Sequence, residues 1–383
     1  MRFSEIAGQI KTINKLIRSY QDGRVSHAQL LWGPDGCGSL AVSIAYATFV
    51  NCTNKQFYDD NSPVIGDSCG KCLSCKKSDK LIHPDIHFVF PTNKTKNHPK
   101  KLLSADFLPE WREFLNTYKY YVDINHWYDF IEIENQQGII SAEECNEIIN
   151  ILNYKTYEAE FKIMIVWMIE KLFYSAAPKI LKILEEPQDK TLFLLVSENH
   201  HLILDTIISR TQPIRLKKIA QSEIKFFLTN KLNIDVNKAD ELLVKYNSNL
   251  SDITGNIISG SDDSNMMNLF IEWMRACFRK NTEQILEISS KFSVLGRERQ
   301  KDFISFAINQ LRNSYMQKYS KSLCSNIFTN NIEFYSKFGQ YLNTESANIL
   351  IEELEKTSKY VERNANTKIL FTDISLKIGY LLT

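Results

Sequence analysis

The feature that most constrains the fold of this chain is a glycine-rich loop between two apolar segments. Residues 28–32 are apolar over the length of a short buried strand, and residues 40–50 have the composition of a buried crossover helix. Between them, Gly33-Pro34-Asp35-Gly36-Cys37-Gly38-Ser39 has the glycine spacing of a phosphate-binding loop, G-x-x-x-x-G-K-[ST]. Because such a loop follows a strand and begins a helix, this layout favours an α/β domain with a parallel sheet.

The loop lacks the side chains that bind nucleotide in a working phosphate loop. Ser39 stands in the lysine position, and Leu40 replaces the hydroxyl residue that holds Mg²⁺. Two interpretations are open: a glycine-rich turn unrelated to nucleotides, or a degenerate phosphate loop that does not bind ATP tightly. In the second interpretation, the residues that remain from the phosphate-binding loop are Gly33, Gly36, Gly38 and Ser39.

Four of the eight cysteines cluster after the helix that follows this loop. Two C-x₂-C steps share one cysteine and a fourth cysteine precedes them, so four thiolates can converge on one tetrahedral ion. The predicted ligands are Cys52, Cys69, Cys72 and Cys75. A four-thiolate site has no open position, so we predict one structural zinc ion in a module over residues 52–75. Unligated or redox-active cysteines are the alternative. The other cysteines are predicted to be packing residues: Cys37, Cys145, Cys277 and Cys324.

A second buried strand is predicted over residues 161–168. In an ATPase of this layout, acidic residues at the end of that strand bind Mg²⁺ and activate water. Here those positions are Trp167 and Met168. Glu170 follows two residues later and would be the substitute base if the chain were an active ATPase.

The segment from about 93 to 138 begins with a lysine-rich stretch, Lys94 to Lys101, and is rich in aromatic residues after it. Aromatic side chains beside lysines can stack on single-stranded nucleic acid. We favour a small helical core packed on the main domain, because buried aromatic clusters are the commoner arrangement.

Composition divides the chain and excludes several classes of protein. None of the nine prolines lies beyond Pro213, and the segments after it have helical apolar spacing, so an all-helical part should follow the α/β part. The net charge of +1 argues against a free-standing DNA-binding protein. Apolar runs are too short for a membrane span and the first residues do not resemble a signal peptide, so we expect a cytoplasmic location.

The order of motifs resembles the AAA+ clamp-loader subunits of bacterial DNA polymerase III, the family of the gamma/tau and delta-prime subunits. The cysteine module after the loop helix is one such motif. The others are Gly8-Gln9, His27-Ala28, His83-Pro84-Asp85, Leu181-Lys182-Ile183-Leu184-Glu185-Glu186-Pro187 and Ser209-Arg210-Thr211.

The resemblance implies three domains. Residues 1–216 would be an α/β AAA+ domain with a RecA-like parallel sheet, which carries the phosphate loop, the zinc module and the aromatic-rich insertion. Residues 217–262 would be a small helical lid domain. Residues 263–383 would be an all-helical collar domain that mediates oligomerisation.

The chain lacks several residues of the family pattern, and in this respect it resembles the delta-prime subunits, which do not hydrolyse ATP. Ser39 stands in the position of the lysine, and Trp167 and Met168 stand in the positions of the acidic pair. Ser251 replaces the sensor arginine of the lid. The implied partners are the gamma/tau and delta subunits, and through the assembly the sliding clamp and primer-template DNA.

By the same resemblance, Arg210 would be an arginine finger. A guanidinium supplied in trans stabilises the charge that develops on a transferred phosphoryl group. Arg210 would then act on the ATP of a neighbouring gamma/tau subunit. An ordinary surface arginine in a salt bridge is the alternative.

Two other functions are compatible with the sequence. One is an ATP-hydrolysing clamp-loader-like ATPase that uses Glu170. The other is a zinc-stabilised module that binds single-stranded DNA through the lysine-rich and aromatic segments.

Overall fold

The computed structural model describes residues 1–59, 62–95, 98, 103–133, 137–259, 263–319, 332–363 and 365–382. The chain forms two compact units, Met1–Ile258 and Ser259–Thr383. Three lysines of the lysine-rich stretch, Lys96, Lys100 and Lys101, lie outside the described residues, as does Cys324. The three-domain division with a lid and a collar stays a prediction.

The first unit is built on a parallel sheet. Its strands, in chain order, are β1 (Ala28–Trp32), β2 (Gln56–Phe57), β3 (Gly66–Asp67), β4 (Ile86–Val89), β5 (Lys162–Trp167), β6 (Thr191–Ser197) and β7 (Gln212–Arg215). Five of them form one sheet in the order β4-β5-β6-β1-β7, whereas β2 and β3 pair with each other in antiparallel fashion. All neighbours in the large sheet are parallel, which confirms the predicted α/β class.

The helices of the first unit connect and cover these strands. They are α1 (Ile10–Gln21), α2 (Ser39–Val50), α3 (Leu73–Asp79), α4 (Leu108–Thr117), α5 (Ile124–Phe130), α6 (Ala142–Asn153), α7 (Ala177–Glu185), α8 (Asp205–Ile208), α9 (Gln221–Asn230), α10 (Val236–Lys245) and α11 (Leu250–Ser259). Helix α1 begins at Ile10, because Gly8 and Gln9 just before it adopt left-handed φ angles of 64° and 60°.

Alternate residues of the central strands pack on opposite faces of the sheet, as the two-residue period of a strand requires. Ile163 and Ile165 of β5 belong to the core formed with α2. Met164 and Val166 belong to a second core formed with α6 and α7. The sheet is therefore buried on both faces, which explains the nearly continuous apolar sequence of its strands.

The edge strand β7 is not apparent from the sequence because Pro213 lies within it. A proline has no N–H to donate and is tolerated only where one side of a strand lacks a partner. Strand β7 meets this condition because it is the last strand of the sheet and pairs with β1 alone.

The aromatic-rich insertion is a packed core. Trp111, Phe114 and Trp127 are fully buried, and Trp111 stacks on Phe90 at a centroid distance of 4.2 Å. Trp111 also lies 5.2 Å from the ring of Trp167, at the end of β5. These contacts confirm the prediction that the aromatic residues form a helical core on the main domain.

The described helices of the second unit are α12 (Asp263–Arg279), α13 (Thr282–Val294), α14 (Arg297–Tyr319), α15 (Ile332–Tyr341), α16 (Thr344–Glu362) and α17 (Thr367–Leu381). Their apolar stripes form a separate core, in which Phe292 stacks on Phe371 at 4.3 Å and Trp273 donates a 2.7 Å hydrogen bond to Ser375. In the described part of the chain, no helix combines the length and hydropathy that a membrane span requires.

Candidate functional site

The glycine loop has the position and backbone form of a phosphate loop. It joins β1 to α2, and Gly38 caps α2 in the left-handed region at φ 79°. The Gly33 N–H donates to Ser197 O at 3.3 Å, which holds the loop against the end of β6. Loop and strand ends lie at the carboxyl edge of the parallel sheet, where open α/β sheets bind ligands.

Protein side chains fill the space over this loop. A Cβ atom on Gly38 would lie 2.9 Å from the ring of Tyr121, and one on Gly36 would overlap Asn249 Oδ1. Tyr121 comes from the aromatic-rich insertion, is 1% exposed, and accepts a 2.7 Å hydrogen bond from the Ala7 N–H. The insertion and the residue just before α11 therefore pack directly against the glycines of the loop.

Asp35 ties the loop to α11. Asn249 Nδ2 and Ser251 Oγ each donate a 2.7 Å hydrogen bond to the Asp35 carboxylate. Ser251 is the residue that replaces the predicted sensor arginine, and it is fully buried. The structure thus brings Ser251 to the loop, where it binds a side chain of the loop itself.

Three carboxyl groups meet beside the loop. Oxygens of Asp35, Asp123 and Asp252 lie within 4.8 Å of one another. Burial, with repulsion from Asp123, raises the pKa of Asp35 to about 6. Burial and repulsion from Asp35 and Asp123 raise the pKa of Asp252 to about 8. Ionising these groups is costly mainly because they are buried, and further because they lie close to one another.

Two further ionisable groups complete this environment. Burial and the charge of Asp35 raise the pKa of Glu198, just after β6, well above its usual range. His126 Nδ1 lies 2.9 Å from Asp123 Oδ2. Burial opposes protonation of His126, but the Asp123 carboxylate outweighs it and raises the pKa of His126 to about 9. The site thus holds one Asp123–His126 ion pair beside carboxyl groups that burial favours in their protonated, uncharged form.

The end of β5 carries no acidic pair. Trp167 and Met168 are both 2% exposed and belong to the core on the α2 face. Glu170 Oε1 accepts hydrogen bonds from the N–H groups of Glu198 at 2.9 Å and Asn199 at 3.2 Å. These contacts fix the chain after β6 and give no support to a role for Glu170 as a base.

Arg210 lies between α8 and β7, with its side chain 32% exposed. Its Nε donates to Glu185 Oε1 at 2.6 Å, and one Nη donates to Thr206 O at 2.8 Å. Glu185 is the last residue of α7 and is 48% exposed. Because both partners reach solvent, this ion pair is worth at most about 1 kcal/mol and can be exchanged for a stronger anion.

The four clustered cysteines have the arrangement of a metal site. Their sulfur atoms all lie within 4.8 Å of one another. Two of the sulfur pairs, Cys52–Cys72 and Cys69–Cys75, are separated by 4.0 Å. Tetrahedral geometry with Zn–S bonds of about 2.3 Å requires a sulfur separation of about 3.8 Å.

Backbone N–H groups point at these sulfurs, as thiolates require. Cys69 N–H donates to Cys52 Sγ at 3.3 Å, Cys72 N–H to Cys69 Sγ at 3.3 Å, and Cys75 N–H to Cys72 Sγ at 3.4 Å. Cys52 follows α2 and Cys75 lies in α3, so the cluster fastens α3 to the helix after the loop.

Sequence reasoning identified the loop and Ser251 but missed the residues that fill the site. Asn249 and Asp252 lie beside Ser251 in the sequence. Their proximity to the loop could therefore have been inferred from the position of Ser251, which replaces the sensor arginine. Tyr121 and Asp123 carry no local signal, because only the packing of the insertion brings them to the loop.

Residues 8–220, more than half of the chain, match the family described as "DNA polymerase III, delta subunit". The chain is 24% identical over 226 residues to DNA polymerase III subunit gamma of Buchnera aphidicola from Acyrthosiphon pisum, covering 59% of this chain and 48% of that protein. It is 24% identical over 217 residues to DNA polymerase III subunit delta' of Bacillus subtilis, covering 57% of this chain and 50% of that protein. The matched part thus spans about half the length of these curated relatives.

Among solved structures, a DNA polymerase III gamma-subunit-related protein of Thermotoga maritima aligns over 98% of this chain and 100% of its own. The identity is 15% and the TM-score is 0.41.

Proposed function

Because the chain belongs to the DNA polymerase III delta-subunit family and is a clamp-loader-like AAA+ protein, we propose that it is a delta-prime-like subunit that does not hydrolyse ATP. In this role it assembles with gamma/tau and delta subunits. The assembly loads the sliding clamp on primer-template DNA, and Arg210 acts as a finger at the ATP site of a gamma/tau neighbour.

The filled phosphate loop carries this proposal. Tyr121 packs against Gly38 and Asn249 against Gly36, and Gly38 and Ser39 are buried, which supports a loop that is closed to phosphates. A chain with this site contributes to ATP hydrolysis only by acting on nucleotide bound elsewhere, and calorimetry with Mg-ATP should detect no tight binding to it.

Arg210 is the group suited to act on a neighbour's nucleotide. Its guanidinium is held by Thr206 O and by one exposed carboxylate, that of Glu185. A γ-phosphoryl group carries more charge than a carboxylate and can be bound by two guanidinium N–H groups. Arg210 can therefore leave Glu185 for phosphate with little loss of stability in this chain.

The test is ATP turnover in a reconstituted loader whose only intact phosphate loop is in the gamma/tau subunit next to this chain. Arg210→Ala should lower DNA-stimulated turnover by about 10³-fold, the lower end of the range for arginine fingers. Arg210→Lys should recover little, because an ammonium cannot bind two phosphate oxygens in the same plane.

Two matched variants control for indirect effects. Arg215→Ala removes another exposed arginine, five positions away in β7, and should leave turnover unchanged. Glu185→Gln breaks the ion pair but keeps Arg210, and should also leave turnover intact. Normal turnover with Arg210→Ala, in an assembly that contains the variant, would exclude the finger role.

We also propose that the cysteine cluster binds zinc. Four sulfur ligands at tetrahedral spacing, with no carboxylate or open position among them, suit a structural Zn²⁺ site. The ion would hold Cys52, Cys69, Cys72 and Cys75 together and take no part in ATP chemistry.

The domain roles form the last part of the proposal. Helices α9 to α11 would act as the lid, and the helices beyond about residue 263 as the collar through which the subunits associate. In the first unit, residues of α9 and α10 share the core of the sheet, which supports a lid held closed without nucleotide.

A further inference from the structure

Helix α3 has an exposed side on which aliphatic and basic residues occur together. At about 3.6 residues per turn, the residues three and seven positions after Leu73 lie on the same side of the helix as Leu73. These residues are Lys76 and Lys80, and both are exposed. Leu73 itself is 75% exposed, so most of its aliphatic surface contacts water.

Ile82 extends this side of the helix beyond its last turn. Leu81 adopts a left-handed φ of 54°, and the Ile82 N–H donates back to Lys77 O at 3.0 Å. In this kind of helix ending, the residue after the left-handed one lies against the last turn of the helix. Ile82 is 48% exposed, so a second aliphatic side chain follows the lysines. We call Leu73, Lys76, Lys80 and Ile82 the α3 face.

The buried side of α3 holds the α3 face in place. Ser74 Oγ donates a 2.8 Å hydrogen bond to Asn51 O, just after α2, and Ser78 Oγ donates to Ser74 O at 2.9 Å. Cys75 is fully buried in the cysteine cluster. A partner would therefore meet an ordered surface, and its binding would not have to fix the backbone of this helix.

Lysines of this segment are available to an acidic ligand. Among the described residues, no ion pair involves Lys71, Lys76 or Lys80. Lys77, in contrast, binds Glu158 at 2.5 Å. Lys71 is also exposed and lies two positions before Leu73. An acidic ligand could thus bind these ammonium groups without displacing a carboxylate.

The two acidic residues of the same segment do not neutralise the α3 face. Asp67 is buried and accepts a 2.9 Å hydrogen bond from the Phe3 N–H. Asp79 binds the amino group of Met1. Asp79 also lies about 120° around the helix from Leu73, because it follows Leu73 by six residues. The α3 face therefore presents positive charge between two aliphatic side chains.

This composition favours a protein segment over nucleic acid. Phosphate contacts need only basic and polar side chains, so they would leave Leu73 and Ile82 in water. The α3 face also has no aromatic side chain on which an unpaired base could stack. An acidic polypeptide segment with aliphatic side chains would match both the charge and the apolar surface.

We propose that the α3 face is a docking site for an acidic protein segment that carries aliphatic side chains. Carboxylates of the segment bind Lys76 and Lys80, and its aliphatic groups cover Leu73 and Ile82. The proposal goes beyond the role in ATP turnover, because it uses neither the glycine loop nor Arg210.

The test measures peptide binding to the full-length chain by fluorescence anisotropy. The probe is a labelled peptide of about twelve residues that contains aspartates and leucines. The chain should bind it, and binding should weaken between about 50 and 200 mM salt, because salt screens exposed charges. A peptide with serines in place of the leucines, or lysines in place of the aspartates, should bind at least about tenfold more weakly.

Variants of the α3 face separate its two contributions. Leu73→Ser should weaken binding about tenfold, because the leucines of the peptide lose an apolar contact. Replacing both lysines (Lys76→Gln with Lys80→Gln) should weaken binding about threefold to tenfold, the range for two exposed ion pairs, and should lower its salt dependence. All three residues are exposed, so the midpoint of denaturation should stay at the wild-type value.

Matched controls change the same residue types elsewhere in the first unit. Leu202 is 64% exposed, and Leu202→Ser should keep the wild-type affinity. Lys231 and Lys238 are exposed, and their joint replacement by glutamine should also leave binding unchanged. Equal losses in the control variants and the α3-face variants would overturn the proposal.

Three further outcomes would also overturn it. The first is no binding of the acidic peptide at about 50 mM salt, or equal binding of the serine peptide. The second is binding of labelled duplex DNA but not of the peptide, with weaker DNA binding by the Lys76→Gln/Lys80→Gln variant, which would assign the face to nucleic acid. The third is a dimer in sedimentation that Leu73→Ser abolishes, which would assign the face to a second copy of this chain.

Discussion

Charge distinguishes this loop from a nucleotide site at the scale of single residues. Asp35 uses its carboxylate to bind Asn249 and Ser251, and it lies within 4.8 Å of two other aspartates. Such a cluster is stable only while some of its members stay protonated or are balanced by the His126 imidazolium. The stability of this closed site therefore depends on the binding of protons by its carboxyl groups.

Asp252 gives the pH prediction. Its folded-state pKa is raised to about 8, from 3.8, so the folded chain binds a proton that the unfolded chain releases. The contribution of this group to stability is thus present at low pH and is lost as pH rises from about 4 through about 8. His126, with a pKa raised to about 9, acts in the same direction between about 6.5 and 9.

Asp252→Asn should remove the loss of stability at high pH, because asparagine resembles the protonated acid. We expect the free energy of unfolding, measured by urea denaturation, to rise by at least about 1 kcal/mol at about pH 8.5 and to change little near pH 4, where the unfolded chain also begins to hold this proton. Glu241→Gln, an exposed acid on the neighbouring α10, should change neither value. An equal effect of Asp252→Asn at both pH values would contradict the proposed protonation.

At the scale of elements, the sequence predicted what depends on local pattern. The β1–loop–α2 unit follows from apolar runs and glycine spacing. Strand β7 could not be predicted, because its proline is acceptable only at an edge that the fold creates.

The candidate site was predictable only in part for the same reason. The spacing of Gly33, Gly36 and Gly38 identified the loop, and the C-x₂-C steps identified the cysteine cluster. The contact of Tyr121 with the loop joins residues more than 80 positions apart in sequence, and no periodicity in either segment encodes it.

The packing of α11 on the loop can be tested with a pair of glycines. Gly36 and Gly23 both adopt left-handed φ angles, of 72° and 64°, so alanine costs about 1–2 kcal/mol of backbone strain at either position. At Gly23 no atom lies within 4 Å of the added methyl, whereas at Gly36 it overlaps Asn249 Oδ1 and lies 2.8 Å from Leu250 N.

Gly36→Ala should therefore lower the free energy of unfolding by about 1–3 kcal/mol more than Gly23→Ala. Chemical denaturation of the two variants under identical conditions measures the difference. Equal losses would show that Asn249 does not rest on the loop in solution.

At the scale of the whole molecule, the chain has two units with separate cores. The core of the second unit contains Trp273, Phe292 and Phe371, whereas the cysteine cluster belongs to the first. Hydrophobic cores without shared residues can lose protection independently. Removal of a structural metal should consequently affect one unit and spare the other.

Metal loss should thus be local to the first unit when followed by hydrogen exchange in the full-length chain. We expect about one Zn²⁺ per chain, from the single four-thiolate site. A strong chelator should speed exchange at least about tenfold in α2 and α3 and leave α13 unchanged, because about 1.4 kcal/mol of local stability corresponds to a factor of ten.

Cys75→Ser should reproduce this pattern without chelator. Cys145→Ser, which replaces an equally buried cysteine outside the cluster, should keep the metal and the slow exchange. Unchanged exchange around α3 after Cys75→Ser would show that no metal holds this module, and faster exchange in α13 would show that the two units unfold together.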